Sequence, residues 1–138
     1  MATDFTVILA QRQHFGNEPN AFLDNDLRAA FVGPTKDYSF DCPNVNPGET
    51  AVLMFQSRDV GAAQSNVFRV NGIDVFGGLP ASPTRNEWNG NIVLVADHHR
   101  LRTTNNVLHI EARNDGGGGG GDLDDFIIDN VVIMYKTR

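Results

Sequence analysis

The sequence has 138 residues, of which 41% are hydrophobic and 20% charged, so we expect a single globular domain over residues 1–138. Its single cysteine, Cys42, excludes an intramolecular disulfide, and no apolar run reaches the roughly 18 residues of a membrane-spanning helix. The net charge of −6 comes without a basic stripe or a basic amphipathic helix, so we expect neither nucleic-acid binding nor membrane insertion.

Short apolar runs separated by turn residues predict strands along the whole chain. The predicted strands are residues 5–9, 38–40, 51–55, 67–70, 73–76, 91–95, 107–111 and 126–135. Residues 22–31 come closest to a helical period and predict one or two helical turns. Seven or eight short strands without βαβ alternation favour an all-β fold, an antiparallel sandwich of two sheets.

Three of these segments carry local detail. Asn71-Gly72 predicts a type I′ hairpin turn, because both positions tolerate positive φ. Residues 51–55 are continuously apolar and predict a buried strand. The apolar run 126–135 is broken at Asp129-Asn130. Alternation also fails over residues 126–129, which predicts a central strand covered on both faces or a β-bulge. The residues expected in the core are Leu53, Phe55, Phe68, Val93, Leu108, Ile110, Phe126 and Ile128.

Residues 101–114, LRTTNNVLHIEARN, combine a Leu, a short polar turn and the pattern Asn-Val-Leu-x-Ile-x-x-x-Asn. This pattern resembles the penultimate region of galactose-binding-like jelly rolls, the β-sandwich domains found beside glycosidase catalytic domains and among carbohydrate-binding modules. Residues 66–72 are similar to the upstream hairpin strand of those domains, and residues 124–133 to their closing strand. The resemblance covers about half of the chain, residues 65–135, and implies jelly-roll topology and a carbohydrate ligand.

An acidic segment precedes and enters the last predicted strand. Residues 115–129 hold five Asp and no basic residue, whereas the rest of the chain carries a net charge of only −1. Ca²⁺ takes six to eight oxygen ligands, and carbohydrate-binding jelly rolls resembling this chain often hold a structural calcium between an early loop and the closing strand. The alternative is that these acids solvate and cap a glycine-rich loop. The expected calcium ligands are Glu18, Asp24, Asp26, Asp124, Asp125 and Asp129.

The only Trp, Trp88, lies in a polar stretch, residues 84–91. A sugar site needs a flat ring for stacking and planar hydrogen-bonding groups around it. Arg85, Asn86, Trp88 and Asn89 are therefore the candidate ligand-binding residues. The alternative is that Trp88 fills the end of the sandwich.

No residue pattern indicates catalysis. Cys42 is next to Asp41, whose negative charge raises the pKa of a thiol. His98, His99 and His109 form no His-x-His pair of the kind that metal-dependent jelly-roll enzymes use. We therefore expect the protein not to be an enzyme.

Two functions remain open. The first is a non-catalytic, lectin-like carbohydrate-binding module, and the second is a structural or assembly subunit of a fibre, appendage or particle, built from a free-standing jelly roll. The expected partners are carbohydrate or other protein subunits, including further copies of the chain. The N-terminus lacks the pattern of a secretory signal peptide, and the sequence assigns no compartment.

Overall fold

A computed structural model describes residues 1–22, 27–61, 66–75, 77–113 and 122–138. Its strands are β1 Thr3–Leu9, β2 Gln13–Phe15, β3 Ala30–Gly33, β4 Thr35–Phe40, β5 Ala51–Arg58, β6 Val67–Val70, β7 Ile73–Asp74, β8 Trp88–Val95, β9 Asn106–Glu111 and β10 Phe126–Lys136. Within these described ranges the only helical segment is a 3₁₀ turn, Asp97–His99. No helix found there has the length and apolar character needed to cross a membrane.

The strands form two sheets. The larger sheet has six strands in the order β3-β2-β10-β5-β8, with β1 paired to β10, and the smaller has the order β4-β9-β6-β7. Every pair is antiparallel except β2 with β3. Buried residues from both sheets form one apolar core. The predicted all-β sandwich of two sheets is therefore confirmed, and its strands are antiparallel as predicted except for the β2–β3 pair.

Strand β10 is the central strand of the larger sheet. On one side it pairs with β5; on the other it pairs with β2 at Phe126–Ile128 and then with β1, in a register that ends with Thr3 opposite Lys136. The register with β5 shifts between Asp129 and Val132, and Asn130 there has a φ of 51°. Both alternatives predicted from residues 126–129 are present, since Ile127 and Ile128 are fully buried in this central strand and a bulge follows them.

All eight residues expected in the core are buried. The Asn71-Gly72 turn is also confirmed, because both residues have positive φ, 52° and 81°, and they join β6 to β7. The Asn71 side chain donates to the His99 carbonyl at 3.0 Å and accepts from the Val107 N–H at 2.9 Å. One residue therefore makes the turn and fixes it to the start of β9. Strand β7 ends at Asp74, earlier than predicted.

Two local predictions are wrong. Ala30 and Phe31, predicted in helical turns, lie in β3 and pair in parallel with β2, a distant partner that a local period does not reveal; residues 23–26 of that prediction lie outside the described ones. The continuously apolar β5 is buried on one face only. Val52 and Met54 lie on the outer face of the larger sheet and are half-buried.

Candidate functional site

Four connections of the larger sheet meet at one of its ends. Arg58, the last residue of β5, is opposite Trp88, the first of β8, and also opposite Ile127, the second of β10. Phe126 is opposite Phe15, the last residue of β2. The segments that follow β2 and β5 and those that precede β8 and β10 therefore lie side by side.

These segments enclose a cavity of about 600 Å³, which we call the end depression. Its described lining comes from residues 18–22, 59–61, 82–86 and 122–125. The side chains of Arg85 and Asn86 are exposed, and the half-buried ring of Phe22 is the aromatic group of this lining. The depression thus combines a cation, an amide, several carboxylates and one aromatic ring.

Hydrogen bonds connect the segment after β5 to the segment before β8. The Asn86 N–H donates to Asp59 Oδ1 at 2.7 Å, and both residues have φ near 60°. The Val60 N–H donates to Ser82 Oγ at 3.0 Å, and the Ser82 N–H donates back to the Val60 carbonyl at 2.9 Å. Since these bonds lie on both sides of Arg85, they fix the backbone that carries its side chain.

Asp124 joins three segments around the depression. Its Oδ2 accepts from the Gly61 N–H at 2.9 Å and from Asn66 Nδ2 at 2.8 Å. The Asn66 Oδ1 in turn accepts from the Arg113 N–H at 2.8 Å. A nearly buried carboxylate with these donors is a structural group of the fold.

Asp125 makes a comparable set of contacts with the segment after β2. Its Oδ1 lies 2.7 Å from Nε2 of the buried His14 and accepts from the Glu18 N–H at 3.2 Å. Gly16, with a φ of 139°, passes so close that an added Cβ would lie 2.0 Å from the same oxygen. The rings of Phe22 and Phe31 pack edge-on against the His14 ring, with centroids 4.7 and 4.9 Å from its own.

The structure brings together two of the four residues predicted to bind sugar. Arg85 and Asn86 line the end depression, whereas Trp88 and Asn89 are not among its lining residues. The guanidinium groups of Arg12 and Arg58 lie over the Trp88 ring, with their Cζ atoms 5.0 and 6.0 Å from its centroid. Asn89 donates to the Glu87 carbonyl at 3.2 Å. Because Asn89 follows Trp88 in β8, its side chain points to the face of the strand opposite to that of Trp88.

The predicted calcium ligands divide in a similar way. Glu18, Asp124 and Asp125 line the end depression, Asp129 pairs with Arg12 at 3.2 Å on the outer face, and Asp24 and Asp26 lie outside the described residues. Among the described residues, no group of three or more His, Cys, Asp or Glu could hold a metal ion. Since Asp124 and Asp125 are already engaged with nitrogen donors, the described carboxylates do not by themselves fit Ca²⁺.

The side chains considered for catalysis make structural contacts. Cys42 is fully buried, and burial, followed by the charge of Asp41, raises its pKa to about 12, so the thiolate needed for nucleophilic attack is disfavoured. The buried His99 has its ring nitrogens 3.2 and 3.0 Å from the Ala96 and Asp74 carbonyl oxygens. His109 lies 2.5 Å from Asp37 on the surface of the smaller sheet.

Sequence reasoning missed Phe22, Asp59 and Ser82 as lining residues. Phe22 and Asp59 belong to segments that reach the depression only through the order of the strands, so no local spacing connects them to Arg85. Ser82 lies in the same segment as Arg85, and it was missed because the stretch considered for a sugar site began at residue 84. Comparison with known proteins adds no family, because no family model, curated protein or solved structure matches this chain.

Proposed function

We propose that the protein is a non-catalytic, lectin-like module that binds carbohydrate in the end depression. The observation that carries this proposal is the convergence of Arg85, Asn86 and the Phe22 ring in one cavity of about 600 Å³. Sugars present hydroxyl groups that both donate and accept, together with apolar ring faces. A concave site with planar polar groups and one aromatic ring complements both features.

Each of these residues has a separate role in the proposal. Arg85 supplies a rigid fork of donors for neighbouring hydroxyl groups, and Asn86 supplies both a donor and an acceptor. Phe22 supplies the stacking surface that the sequence assigned to Trp88. We assign Trp88 a positioning role, because the guanidinium of Arg58 lies over its ring, and the next residue, Asp59, accepts the Asn86 N–H.

The resemblance of residues 101–114 to galactose-binding-like jelly rolls supports the same proposal. The Asn-Val-Leu-x-Ile part of this pattern, residues 106–110, lies on β9, where Leu108 and Ile110 are fully buried. The resemblance therefore bears on the fold, and the end depression bears on the ligand. A structural calcium also belongs to the proposal. It depends on Asp24 and Asp26, since the described carboxylates do not suffice for such a site.

A glycan array tests the proposal, with Arg85→Ala as the variant and Arg102→Ala as its matched control. Arg102 is exposed and lies beyond the far end of β8, away from the end depression. We expect the wild type and Arg102→Ala to bind the same glycans, and Arg85→Ala to bind them at least about tenfold more weakly, the loss of about 1.4 kcal/mol expected for a good hydrogen-bonding group. An array without bound glycan, or equal binding by both variants, would refute the proposal.

A further inference from the structure

The outer face of the larger sheet carries two neighbouring rows of apolar side chains that run across four strands. The first row is Phe5, Met134, Val52 and Leu94, each directly opposite the next. The second row is Val7, Val132, Met54 and Ile92. We call these two rows the outer apolar face. Phe5, Val7 and Ile92 are 61, 52 and 70% exposed, so the described parts of the chain leave much of this face open.

The other end of the same sheet face is covered. There His14, Ile127, Arg58 and Trp88 form a further cross-strand row. Ile127 is fully buried, and Arg12 lies over the Trp88 ring. The outer face of the larger sheet therefore has a covered half and an open half. In the open half, β5 and β10 have apolar residues at consecutive positions, which is the pattern of strands covered on both faces.

We propose that the outer apolar face is a dimerisation surface, and that its occupant is the same face of a second copy of this chain. A two-fold axis brings the same patch of both subunits together, so the patch needs only to complement itself. Apolar sheet faces meet this condition, because two sheets pack face to face about 10 Å apart with interdigitating side chains.

Charge favours a second copy on this face over other approaches. Two copies that each carry a net charge of −6 repel each other. Neither apolar row contains an ionisable residue, and the charges that border them are Lys136 at one end and the Arg12–Asp129 ion pair at the other. Across the described strands of this face, the only carboxylate is Asp129, which is already paired. Two acidic chains can therefore meet here without opposing free carboxylates.

The area of the face places the dimer in the size class of weak complexes. Four strands about 4.8 Å apart and four residues of about 3.3 Å along each strand give about 250 Å² for the two apolar rows, and about twice that with the flanking polar positions. A standard stable interface buries about 800 Å² on each partner, and weak complexes bury less than about 600 Å². We therefore expect a dimer with a micromolar Kd that dissociates on dilution.

Sedimentation velocity across a dilution series, from about 500 μM to about 5 μM, tests this proposal in the range where a micromolar dimer dissociates. For the wild type we expect a mass that rises from that of the 15.1 kDa monomer toward twice this value. Ile92→Glu places a charge in the second row and should raise the Kd at least about tenfold. Ile73→Glu is the matched control: Ile73 is also exposed but lies on β7 of the smaller sheet, so its Kd should equal that of the wild type.

A cross-linking experiment supplies a second measurement, which does not depend on a buried charge. Cys42 is fully buried, so Met54→Cys adds an accessible thiol near the centre of the face. Oxidation should give a disulfide-linked dimer for Met54→Cys and none for Ile73→Cys. A monomer of 15.1 kDa at all concentrations, or equal Kd values for the two Glu variants, would overturn the proposal. So would a wild type that stays monomeric but sediments with lipid vesicles, which would make a lipid surface the occupant.

Discussion

The two halves of β10 lie in different surroundings. Before the bulge at Asp129 and Asn130, Ile127 and Ile128 are both fully buried, so the strand is covered on both faces. After the bulge, Ile133 is buried while Met134 is 36% exposed on the outer face. The first half is next to the end depression, where single hydrogen bonds determine the geometry. The second half lies under the outer apolar face, where the apolar area, and not any single hydrogen bond, determines how the surface behaves.

This contrast teaches that one sheet can carry two kinds of surface. A polar site fixed by individual bonds is sensitive to single substitutions, because each lost partner leaves a buried group unsatisfied. An exposed apolar face tolerates single substitutions in the folded monomer and responds to them in association. Substitutions in the two regions should therefore differ in which property they change, stability or association.

The largest effect should come from shortening a leucine on the inner side of the sandwich. Leu108 is fully buried in β9, so Leu108→Ala should lower the free energy of unfolding by about 2–5 kcal/mol. Leu94→Ala makes the same change on the outer face, where 48% of the residue is exposed, and should cost less than about 1 kcal/mol. Urea unfolding of both variants measures the difference, and equal losses would show that the two faces are wrongly assigned.

A smaller effect is expected from adding one methyl group beside the end depression. Gly16→Ala would place its Cβ 2.0 Å from the Asp125 carboxylate and retain a strained φ, so we expect a loss of about 2–4 kcal/mol. Gly33→Ala is the control, because Gly33 has a φ of 89° with nothing near its Cβ position, and strain alone should cost about 1–2 kcal/mol. If Gly16→Ala proves no worse than Gly33→Ala in urea unfolding, the close approach to Asp125 does not exist.

The smallest expected effect is that of calcium on thermal stability. An ion that binds only the native state stabilises it by about 2.7 kcal/mol at about 100 times its Kd, and by less at lower concentration. We expect the melting temperature in millimolar calcium to exceed that in EDTA for the wild type and for Asp74→Asn, a control on the smaller sheet. The double variant Asp24→Asn/Asp26→Asn should lose this difference. Identical melting of the wild type in both buffers would remove calcium from the proposed function.

The parts of the fold that depend on neighbouring residues could be predicted from the sequence. The Asn71-Gly72 turn follows from the φ preference of two adjacent residues, and the burial of Leu108 and Ile110 follows from simple alternation. The pairing of β2 with β3 could not be predicted, because a three-residue strand has too short a pattern and its partner begins at Ala30.

The candidate site shows the same limit. Arg85 and Asn86 could be identified because they are adjacent polar residues in one segment. Asp59 and Phe22 could not, because they reach the end depression only through the strand order of the larger sheet. The open half of the outer face was hidden for another reason. A run such as residues 51–55 is the same whether its second apolar face is covered by its own chain or by another molecule.

The pairing of β1 with β10 also brings the two ends of the chain together. Thr3 is opposite Lys136, and the Thr137 N–H donates to the Ala2 carbonyl at 2.9 Å. A short flexible linker could therefore join residue 138 to residue 1 without disturbing either sheet, which makes the domain suitable for circular permutation. For the same reason, a protein fused at either terminus would be attached at the C-terminal end of β10, next to the first row of the outer apolar face.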